Sequence, residues 1–356
     1  MTIWYAQNSS VNIDSANEWN DAANGSGNWL TWPPAAGDTL RANGKTAIAI
    51  NVDFTCAQID TVTSGGGFAI SDARTITANI QGGTVHCITT SGSGYTLTIN
   101  GNVSGSTSTD DVYTILNAVA VNITVNGNVV GGSNSNRRGI RNTSTGAIVV
   151  VGDVTGGSGT NSYGIDNTST GTVTVTGSVV GGTAGSNSHG INAGGAGAVS
   201  ITGNVTGGSS SSGASGVGGT SANVTVTGTV TGGSAANCHA VLLTNTGTAT
   251  INGSIVDTAS AQAVYARKLI FNPSATQYWR AQAPGSTTKD YYYDVPAAGN
   301  VTEDDTTAGV TGTYHEATEA EVQSGVTFGA SQGLTGTYEG AGGGLLINPG
   351  MSGGLR

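Results

Sequence analysis

One short phrase centred on a glycine recurs along the middle of the chain at a nearly constant interval. An early copy reads Asn100-Gly101-Asn102-Val103, and a later one reads Thr176-Gly177-Ser178-Val179. The glycines that set the register lie 25 or 26 residues apart: Gly101, Gly127, Gly152, Gly177, Gly203, Gly228 and Gly253. A fixed period of this length is typical of a repeat architecture, in which each copy packs mainly against its neighbours.

Each repeat contains three short segments with the pattern of β-strands. Residues 173–176 alternate apolar and hydroxyl side chains before the glycine, and 178–180 form a second apolar segment after it. A variable turn rich in Ser, Gly and Asn precedes a third segment, such as 163–166. Three strands and three turns in about 25 residues predict one coil of a right-handed parallel β-helix. The fold class is therefore an all-β solenoid, with coils stacked about 4.8 Å apart.

Stacking such coils places equivalent residues in columns. One coil has too few apolar residues to form a core, so we expect two inward columns: Val103, Val129, Val154, Val179, Val205, Val230 and Ile255, and Ile140, Ile165, Ile191, Val217, Val241 and Val264. We expect the residue after each repeat glycine to hydrogen-bond from coil to coil: Asn102, Asn128, Asp153, Ser178, Asn204, Thr229 and Ser254. The glycines are expected at corners, or where a side chain would collide with the next coil.

The repeat divides the chain into three regions. Residues 46–272 are predicted to form the solenoid, with irregular first coils. Residues 1–45 contain four of the five tryptophans and are interpreted as an N-terminal cap or docking segment. Residues 273–356 are predicted to form small C-terminal β modules and a flexible tail.

Two groups of apolar residues at the chain ends are candidates for docking to a partner. The first is Trp29 and Trp32 in the N-terminal segment. The second is Leu345, Leu346 and Ile347, which follow a glycine-rich stretch near the C-terminus. A short apolar segment on a flexible linker is suited to binding a partner surface, and a frayed end is the alternative interpretation.

Charge is scarce, since charged residues are 9% of the chain and the formal net charge is -10. Nucleic-acid binding requires clustered lysine and arginine, so nucleic acid is not an expected partner. No apolar run is long enough to span a membrane, and the first residues lack the features of a signal peptide. Cys56, Cys87 and Cys238 are odd in number, which favours buried free thiols. We therefore expect synthesis in a cytoplasm without a signal peptide, and no membrane partner.

Side chains suited to catalysis are few. A glycosidase needs two carboxyl groups facing each other across a groove. We interpret Asp110 and Asp111 as turn residues, Asp153 as part of the polar column, and Asp166 as the ion-pair partner of Arg141 in the preceding coil. The histidines show no metal-ligand spacing, and no phosphate-binding loop is present. The sequence therefore predicts no enzyme, no metal site and no cofactor.

One column on the outside of the predicted solenoid carries distinctive side chains. The residue two positions before the buried aliphatic of the third strand reads Arg138, Tyr163, His189, Ser215, His239 and Gln262. We expect these side chains to point outward in one line. Aromatic and polar groups in a row are suited to binding a glycan or a neighbouring subunit, with a solvated face as the alternative. The candidate binding residues are Arg138, Tyr163, His189 and His239.

The C-terminal part of the chain carries a family resemblance. Glu321-Val322-Gln323-Ser324-Gly325-Val326-Thr327-Phe328-Gly329, followed by Leu334-Thr335-Gly336-Thr337-Tyr338, resembles a short module of tailed-bacteriophage virion proteins. In the usual form of that module an arginine stands at the position of Gln323 and a tyrosine at that of Phe328. The opening, with its tryptophan-rich turns and Gly37-Asp38-Thr39-Leu40, resembles the start of phage and prophage β-helix proteins.

The resemblance implies a virion component, such as a fibre, spike, decoration or tail-associated protein. We expect a non-enzymatic structural protein that is located in the virion and anchored by one terminus. Its expected partners are other virion proteins (capsid, portal or tail) and further copies of itself, trimers being common in such proteins, with a host glycan as a candidate ligand. A tailspike-like protein that binds or degrades glycans and a bacterial surface adhesin remain as alternatives.

Overall fold

The computed structural model describes most of residues 1–256. The gaps are 11, 46–47, 62–67, 83–85, 106–112, 134–135, 184–185, 210–212 and 235–237. Beyond 256 it describes only the strands named below. Asp110 and Asp111, and the proposed tail residues Leu345, Leu346 and Ile347, lie outside the described residues. The described residues form strands and turns but no helix, and so none of them forms a helix able to span a membrane.

Two sheets of mostly parallel strands form the body of the protein. The first sheet contains Ile3–Ala6, Trp19–Asn20, Thr39–Arg41, Phe54–Asp60, Arg74–Gln81, Thr96–Asn100, Val103–Ser104, Asn122–Asn126, Val129–Val130, Ile148–Val151, Val154–Thr155, Val173–Thr176, Val179–Val180, Val199–Thr202, Val205–Thr206, Asn223–Thr231, Thr248–Val256 and Leu269–Asn272. The second contains Ile48–Ala49, Phe68–Ile70, Ile88–Thr90, Ile115–Asn117, Ile140–Asn142, Ile165–Asn167, Ile191–Ala193, Val217–Gly219, His239–Leu243 and Gln262–Ala266. The chain alternates between the sheets, which confirms the predicted solenoid.

The register between coils confirms both predicted inward columns. Val103 pairs with Val129, and the same in-register pairing continues coil by coil to Ile255. In the second sheet the column that includes Ile140 and Ile165 extends upstream of the prediction, to Ile115 and Ile88. The described side chains of both columns are almost completely buried. Together they form one continuous apolar core along the stack.

The first coils are less regular than the later ones, as the sequence indicates. Between Thr55 and Gln58 the register of strand Phe54–Asp60 shifts against Arg74–Gln81. A shift of this kind leaves a residue unpaired and bends the strand locally. The pairing resumes at Gln58, opposite Asn79, and Ile59 then faces Ile80, so the inward column continues across the irregularity.

The repeat glycines lie where successive coils approach each other closely. Gly177 has a φ of 151°, and a Cβ built on it would lie 2.2 Å from the carbonyl oxygen of Gly152 in the preceding coil. Gly101 and Gly203 make equivalent contacts with the coil below them. Only glycine combines this backbone conformation with such an approach, which confirms the predicted steric role of the column.

The polar column beside the glycines forms the predicted ladder in part, with one run from Asn102 to Ser178 and another from Asn204 to Thr229. The Asn128 backbone N–H donates to Asn102 Oδ1 at 2.8 Å, and Asp153 N–H donates to Asn128 Oδ1 at 2.8 Å. Ser178 N–H in turn donates to Asp153 Oδ1 at 2.7 Å. The Asn and Asp side chains are one atom longer than that of serine, and their oxygens reach the backbone N–H of the next coil. These residues therefore satisfy N–H groups at the corner that strand pairing leaves without a partner.

A second asparagine ladder lies inside the solenoid and was not predicted. Asn117, Asn142 and Asn167 face each other in register at the ends of successive strands and are fully buried. Asn142 Nδ2 donates to the Gly146 carbonyl at 3.1 Å, and Asn167 Nδ2 donates to Gly171 at 2.9 Å. Each amide therefore holds the turn that follows its own strand. Buried amides of this kind are tolerated because their donors find carbonyl partners.

The N-terminal segment joins the first sheet and closes its edge. Strand Ile3–Ala6 pairs in parallel with Thr39–Arg41, and the two-residue strand Trp19–Asn20 pairs antiparallel on its other side. Trp4 and Trp19 are buried there, with ring centroids 6.3 Å apart. A short antiparallel strand and buried aromatic rings protect an edge that would otherwise be open to pairing with another chain.

Asp38 fastens this N-terminal segment. Its carboxylate accepts hydrogen bonds from the backbone N–H groups of Thr2 and Ala35 and from Trp4 Nε1, at 2.7–3.0 Å. Burial alone would raise the pKa of Asp38, but these hydrogen bonds outweigh it and the pKa is lowered. The carboxylate therefore remains charged and links the first strand to the turn before Thr39.

The C-terminal region forms small antiparallel pairs. They join Tyr278–Arg280 to Tyr292–Asp294, Thr306–Thr307 to Val310–Thr311, and Thr327–Phe328 to Leu334–Thr335. Residues 295–356 form a compact unit separate from 1–294. The division at 273 and the flexible tail of this region stay predictions.

Replacing a repeat glycine should destabilise the stack strongly. We expect Gly177→Ala to lower the free energy of unfolding by about 2–4 kcal/mol, because it combines an unfavourable φ with a clash against backbone. Chemical denaturation followed by circular dichroism measures this. Gly37→Ala is the matched control, since a Cβ at Gly37 meets nothing within 4 Å. Equal stability of the two variants would contradict the steric role.

Candidate functional site

The distinctive column of the second sheet forms a stack of rings and one guanidinium group. His86 and Tyr113 extend the predicted residues upstream, and their rings are stacked with centroids 5.0 Å apart. Arg138 Cζ lies 4.9 Å from the centroid of Tyr113 and 5.1 Å from that of Tyr163. Tyr163 in turn stacks on His189 at 5.3 Å. The guanidinium is thus held between two tyrosine rings, which is favourable by cation–π attraction.

The predicted residues share one column, but they are less exposed than expected. Tyr163 and His189 are half-buried, and only 14% of the Arg138 side chain is exposed. His239 is 8% exposed and Ser215 is fully buried, so the prediction of an outward-pointing row is wrong at these two positions. The rings lie along the column and cover each other, which removes their faces from solvent. A binding role for Arg138, Tyr163, His189 and His239 stays a prediction.

A charged cluster lies beside this column. Asp166 Oδ2 is 3.0 Å from Arg138 Nε and 3.7 Å from Arg141 Nε. Asn192 Nδ2 donates to Asp166 Oδ1 at 2.7 Å, and Arg141 Nη1 donates to Tyr113 Oη. The predicted pair between Arg141 and Asp166 is confirmed, while the closer pair with Arg138 was missed. The strand register places Arg141, not Arg138, opposite Asp166. Aligning the repeats therefore predicts the pair with Arg141 but not the diagonal contact with Arg138.

The environment of His189 holds its imidazole neutral. Burial, together with the smaller effect of nearby His239, lowers the pKa of His189 to about 4. The neutral ring accepts a hydrogen bond at Nδ1 from the backbone N–H of Ser215 at 2.9 Å. His86 makes the equivalent contact with the N–H of Tyr113, and burial also lowers its pKa. Both histidines therefore act as acceptors for the next coil, and protonation would remove that acceptor.

The three cysteines are free and buried, as predicted. Burial raises the pKa of Cys56 and of Cys87 to about 12. A thiol with such a pKa is protonated at neutral pH and is a poor nucleophile. These residues therefore serve as small apolar side chains in the described core.

One carboxyl group with a perturbed pKa was not singled out from the sequence. Glu18 lies in the N-terminal segment and is 1% exposed. Burial raises its pKa, while hydrogen bonds from the Asn8 side chain and backbone lower it in part. Perturbed carboxyl groups often mark catalytic sites, but here the bonds with Asn8 join two turns of the same segment. No group of three or more His, Cys, Asp or Glu residues suited to a metal occurs among the described residues.

The two tryptophans predicted to dock a partner have different environments. The Trp32 ring is half-buried and contacts Trp4 and Phe54 edge-on, with centroids 6.4 and 5.2 Å apart. Trp29 is 49% exposed, and its backbone pairs with Asn20 through an isolated antiparallel bridge. Trp32 thus contributes to the packing of the N-terminal segment. Trp29 keeps an accessible indole, and its docking role stays a prediction.

Comparison of the chain with protein-family models, with curated proteins and with solved structures finds no match.

Removing the charge of Asp166 should destabilise the solenoid locally. We expect Asp166→Asn to lower the free energy of unfolding by about 2–4 kcal/mol, because the partly buried Arg138 and Arg141 then lack their counter-charge. Asp153→Asn is the matched control, since its exposed ladder contact uses an oxygen that asparagine retains. Urea denaturation measures both variants. A loss for Asp153→Asn as large as for Asp166→Asn would argue against the ion-pair account.

Acidification should weaken the protein through His189. The folded-state pKa lies below the unfolded value of about 6.5, so the unfolded chain binds more protons between about pH 6.5 and 4. Above about pH 6.5, His189 is neutral in both the folded and the unfolded state and does not lower the free energy of unfolding. As the pH falls from 6.5 towards 4, the unfolded state gains the proton first, and the free energy of unfolding decreases. The maximum loss is about 3 kcal/mol.

Comparison with a variant that cannot titrate isolates this effect from that of His86. Denaturation midpoints of the wild type and of His189→Gln, measured between pH 7 and 4, should converge as the pH falls, because glutamine stays neutral. Parallel pH profiles for the two proteins would show that His189 does not titrate in this range.

Proposed function

We propose that this protein is a non-enzymatic structural component of a bacteriophage virion, in which the β-solenoid acts as a stiff spacer. The observation that carries the proposal is the continuous strand pairing of the first sheet, which runs from Ile3–Ala6 to Leu269–Asn272 with one register shift in its early coils. A continuous ladder of backbone hydrogen bonds over one apolar core resists bending. Such a rod suits a part that holds other components at a fixed distance.

Two polar groups of the solenoid, Asp166 and His189, bind residues of neighbouring coils. The Asp166 carboxylate is occupied by Arg138, Arg141 and Asn192. The His189 imidazole accepts a backbone hydrogen bond from the next coil. Groups held in this way fit a structural role better than acid–base catalysis, which needs a carboxyl group or imidazole accessible to a substrate.

The virion setting rests on the sequence phrases at the two ends of the chain. The phrase 321–329 and the tryptophan-rich opening resemble segments of phage virion proteins. On this proposal the protein is made in the host cytoplasm, is anchored by one terminus and contacts capsid, portal or tail proteins. The accessible indole of Trp29 supports anchoring through the N-terminal segment.

A glycan-binding tailspike-like role is the second candidate. It is favoured by the half-buried rings of Tyr163 and His189, which lie in line along successive coils. Sugar rings pack on aromatic side chains, and Arg141 and Asn192 beside the column offer hydrogen-bond donors. The mutual stacking of the rings, which covers their faces, makes this the weaker candidate.

The virion proposal predicts that the protein copurifies with phage particles. Particles of a phage that encodes the protein would be purified by density gradient, probed with an antibody to residues 1–256, and imaged by electron cryomicroscopy. We expect a fixed copy number per particle and a rod-shaped density. A protein present in the lysate but missing from intact particles would overturn the proposal.

A second assay separates the structural role from the enzymatic one. The purified protein is applied to capsular and lipopolysaccharide preparations of the host, and chain length is followed by gel electrophoresis. We expect no shortening of the glycan. Depolymerisation would replace the structural role with that of a tailspike enzyme.

A further inference from the structure

Two columns of small, mostly hydroxyl side chains lie side by side on the outward side of the first sheet. Both are carried by the strand segment before each repeat glycine, so the bend at that glycine does not separate them. Within a strand the two members are two residues apart, and the residues that alternate with them, such as Val173 and Val175, are buried. The first column is Thr98, Thr124, Val149, Thr174, Ser200, Thr225 and Thr250, and the second is Asn100, Asn126, Val151, Thr176, Thr202, Thr227 and Asn252.

The later coils carry the most regular part of these columns. Val149 and Val151 interrupt the pattern in one coil, and beyond them the columns contain hydroxyl side chains and a single amide. We call this part the hydroxyl array, and its members are Thr174, Thr176, Ser200, Thr202, Thr225, Thr227, Thr250 and Asn252. All of them are exposed or half-buried, and none is charged. The array is therefore a regular, uncharged grid that faces solvent.

The hydroxyl groups of the array are not used by the protein itself. Elsewhere in the solenoid, threonine hydroxyls donate to carbonyl groups, as Thr114 Oγ1 does to Val130 at 2.8 Å and Thr220 Oγ1 does to Gly194 at 3.0 Å. Within the part of the chain that the structure describes, the Thr and Ser hydroxyls of the array make no hydrogen bond with another protein group. Each can therefore donate to and accept from water.

We propose that the hydroxyl array binds the surface of ice. Successive coils are about 4.8 Å apart, and alternate residues of a strand are about 6.6 Å apart, so the side chains form a rectangular grid. Both spacings are similar to the distances at which oxygen atoms repeat on a prism face of hexagonal ice. Water molecules that hydrogen-bond to the array therefore lie close to the positions that an ice crystal requires. This activity goes beyond the virion role and does not depend on it.

The array is suited to a solid surface because its groups are held in place before contact. The in-register pairing of the coils fixes the backbone, and the branched threonine side chains have restricted χ1 angles. Little conformational freedom is therefore lost on binding. Each threonine also presents a methyl group, around which water is ordered. A charged side chain would instead retain its own hydration shell, and the array contains none.

The composition of the array favours ice over a protein partner. Protein interfaces are anchored mainly by Trp, Tyr and Arg side chains, and the array has no aromatic or charged member. Its distinguishing property is instead a two-dimensional repeat of similar groups. A crystal of water matches such a repeat at every coil, whereas the irregular surface of a folded protein would match it at only a few points.

Incorporation into slowly growing ice tests the proposal. Ice grown on a cold finger takes up proteins that bind its surface and leaves others in the liquid, and we expect the wild type to enter the ice. Thr202→Lys should lower the incorporated fraction at least about five-fold, because an ammonium group at the contact would have to give up its hydration. Thr168→Lys is the matched control, since Thr168 is exposed in a turn after a strand of the second sheet. It should enter the ice like the wild type, and circular dichroism checks that each variant is folded.

A variant that completes the grid gives a second measurement if Thr202→Lys fails to fold. Val149→Thr with Val151→Thr extends the array into the preceding coil and should raise the incorporated fraction at least about two-fold, because more groups then bind the surface together. Val130→Thr makes the same change beyond the repeat glycine, outside the array, and should have no effect. Exclusion of the wild type from the ice would overturn the proposal. Undiminished incorporation of folded Thr202→Lys, or no gain from the completed grid, would also overturn it.

Discussion

The parallel hydrogen bonding between successive coils is the interaction on which the rest of the structure depends. It places equivalent residues directly above one another, so that each side chain meets its counterpart in the next coil. Most inward positions are therefore apolar and of similar size, as Val154 and Val179 are. The buried asparagines are the exception, because their amides donate to turn carbonyls. Gly152 and Gly177 are required where the backbones nearly touch. The same alignment makes polar columns cohesive, since Asn102 and Asn128 each reach the backbone above.

The contacts that the sequence predicts best are those within one column. A period of 25 or 26 residues, combined with strand alternation, is enough to identify the valine and isoleucine columns and the polar column beside the glycines. The internal asparagine ladder was also within reach, because Asn117, Asn142 and Asn167 follow the same period. It was missed because asparagine is usually exposed, and its burial here depends on carbonyl groups in turns that the sequence does not locate.

Contacts between neighbouring columns could not be predicted from the repeat period and the strand alternation. Arg138 meets Asp166 diagonally, and the choice depends on the direction in which a long side chain leans. The same lean lays Tyr113 and Tyr163 over the guanidinium of Arg138 and covers a column that was expected to face solvent. At the N-terminus, the pattern of tryptophans indicated a cap but not that Trp32 would pack on Phe54. These contacts were not predicted because they depend on the direction of long side chains, which the repeat pattern does not specify, rather than on the strand register, which it does.

The ion pairs of Asp166 distinguish coils that are otherwise nearly interchangeable. If the coil containing Arg138 and Arg141 were looped out during folding, the apolar columns would still match, because Ile115 would simply meet Ile165. Asp166, however, would then lie beside Leu116, a buried carboxylate without a cation. The cost of that arrangement marks one junction in the stack as unique. The ion pairs of Asp166 therefore disfavour misfolded stacks in which one coil is skipped, although the repeated apolar columns alone would allow them.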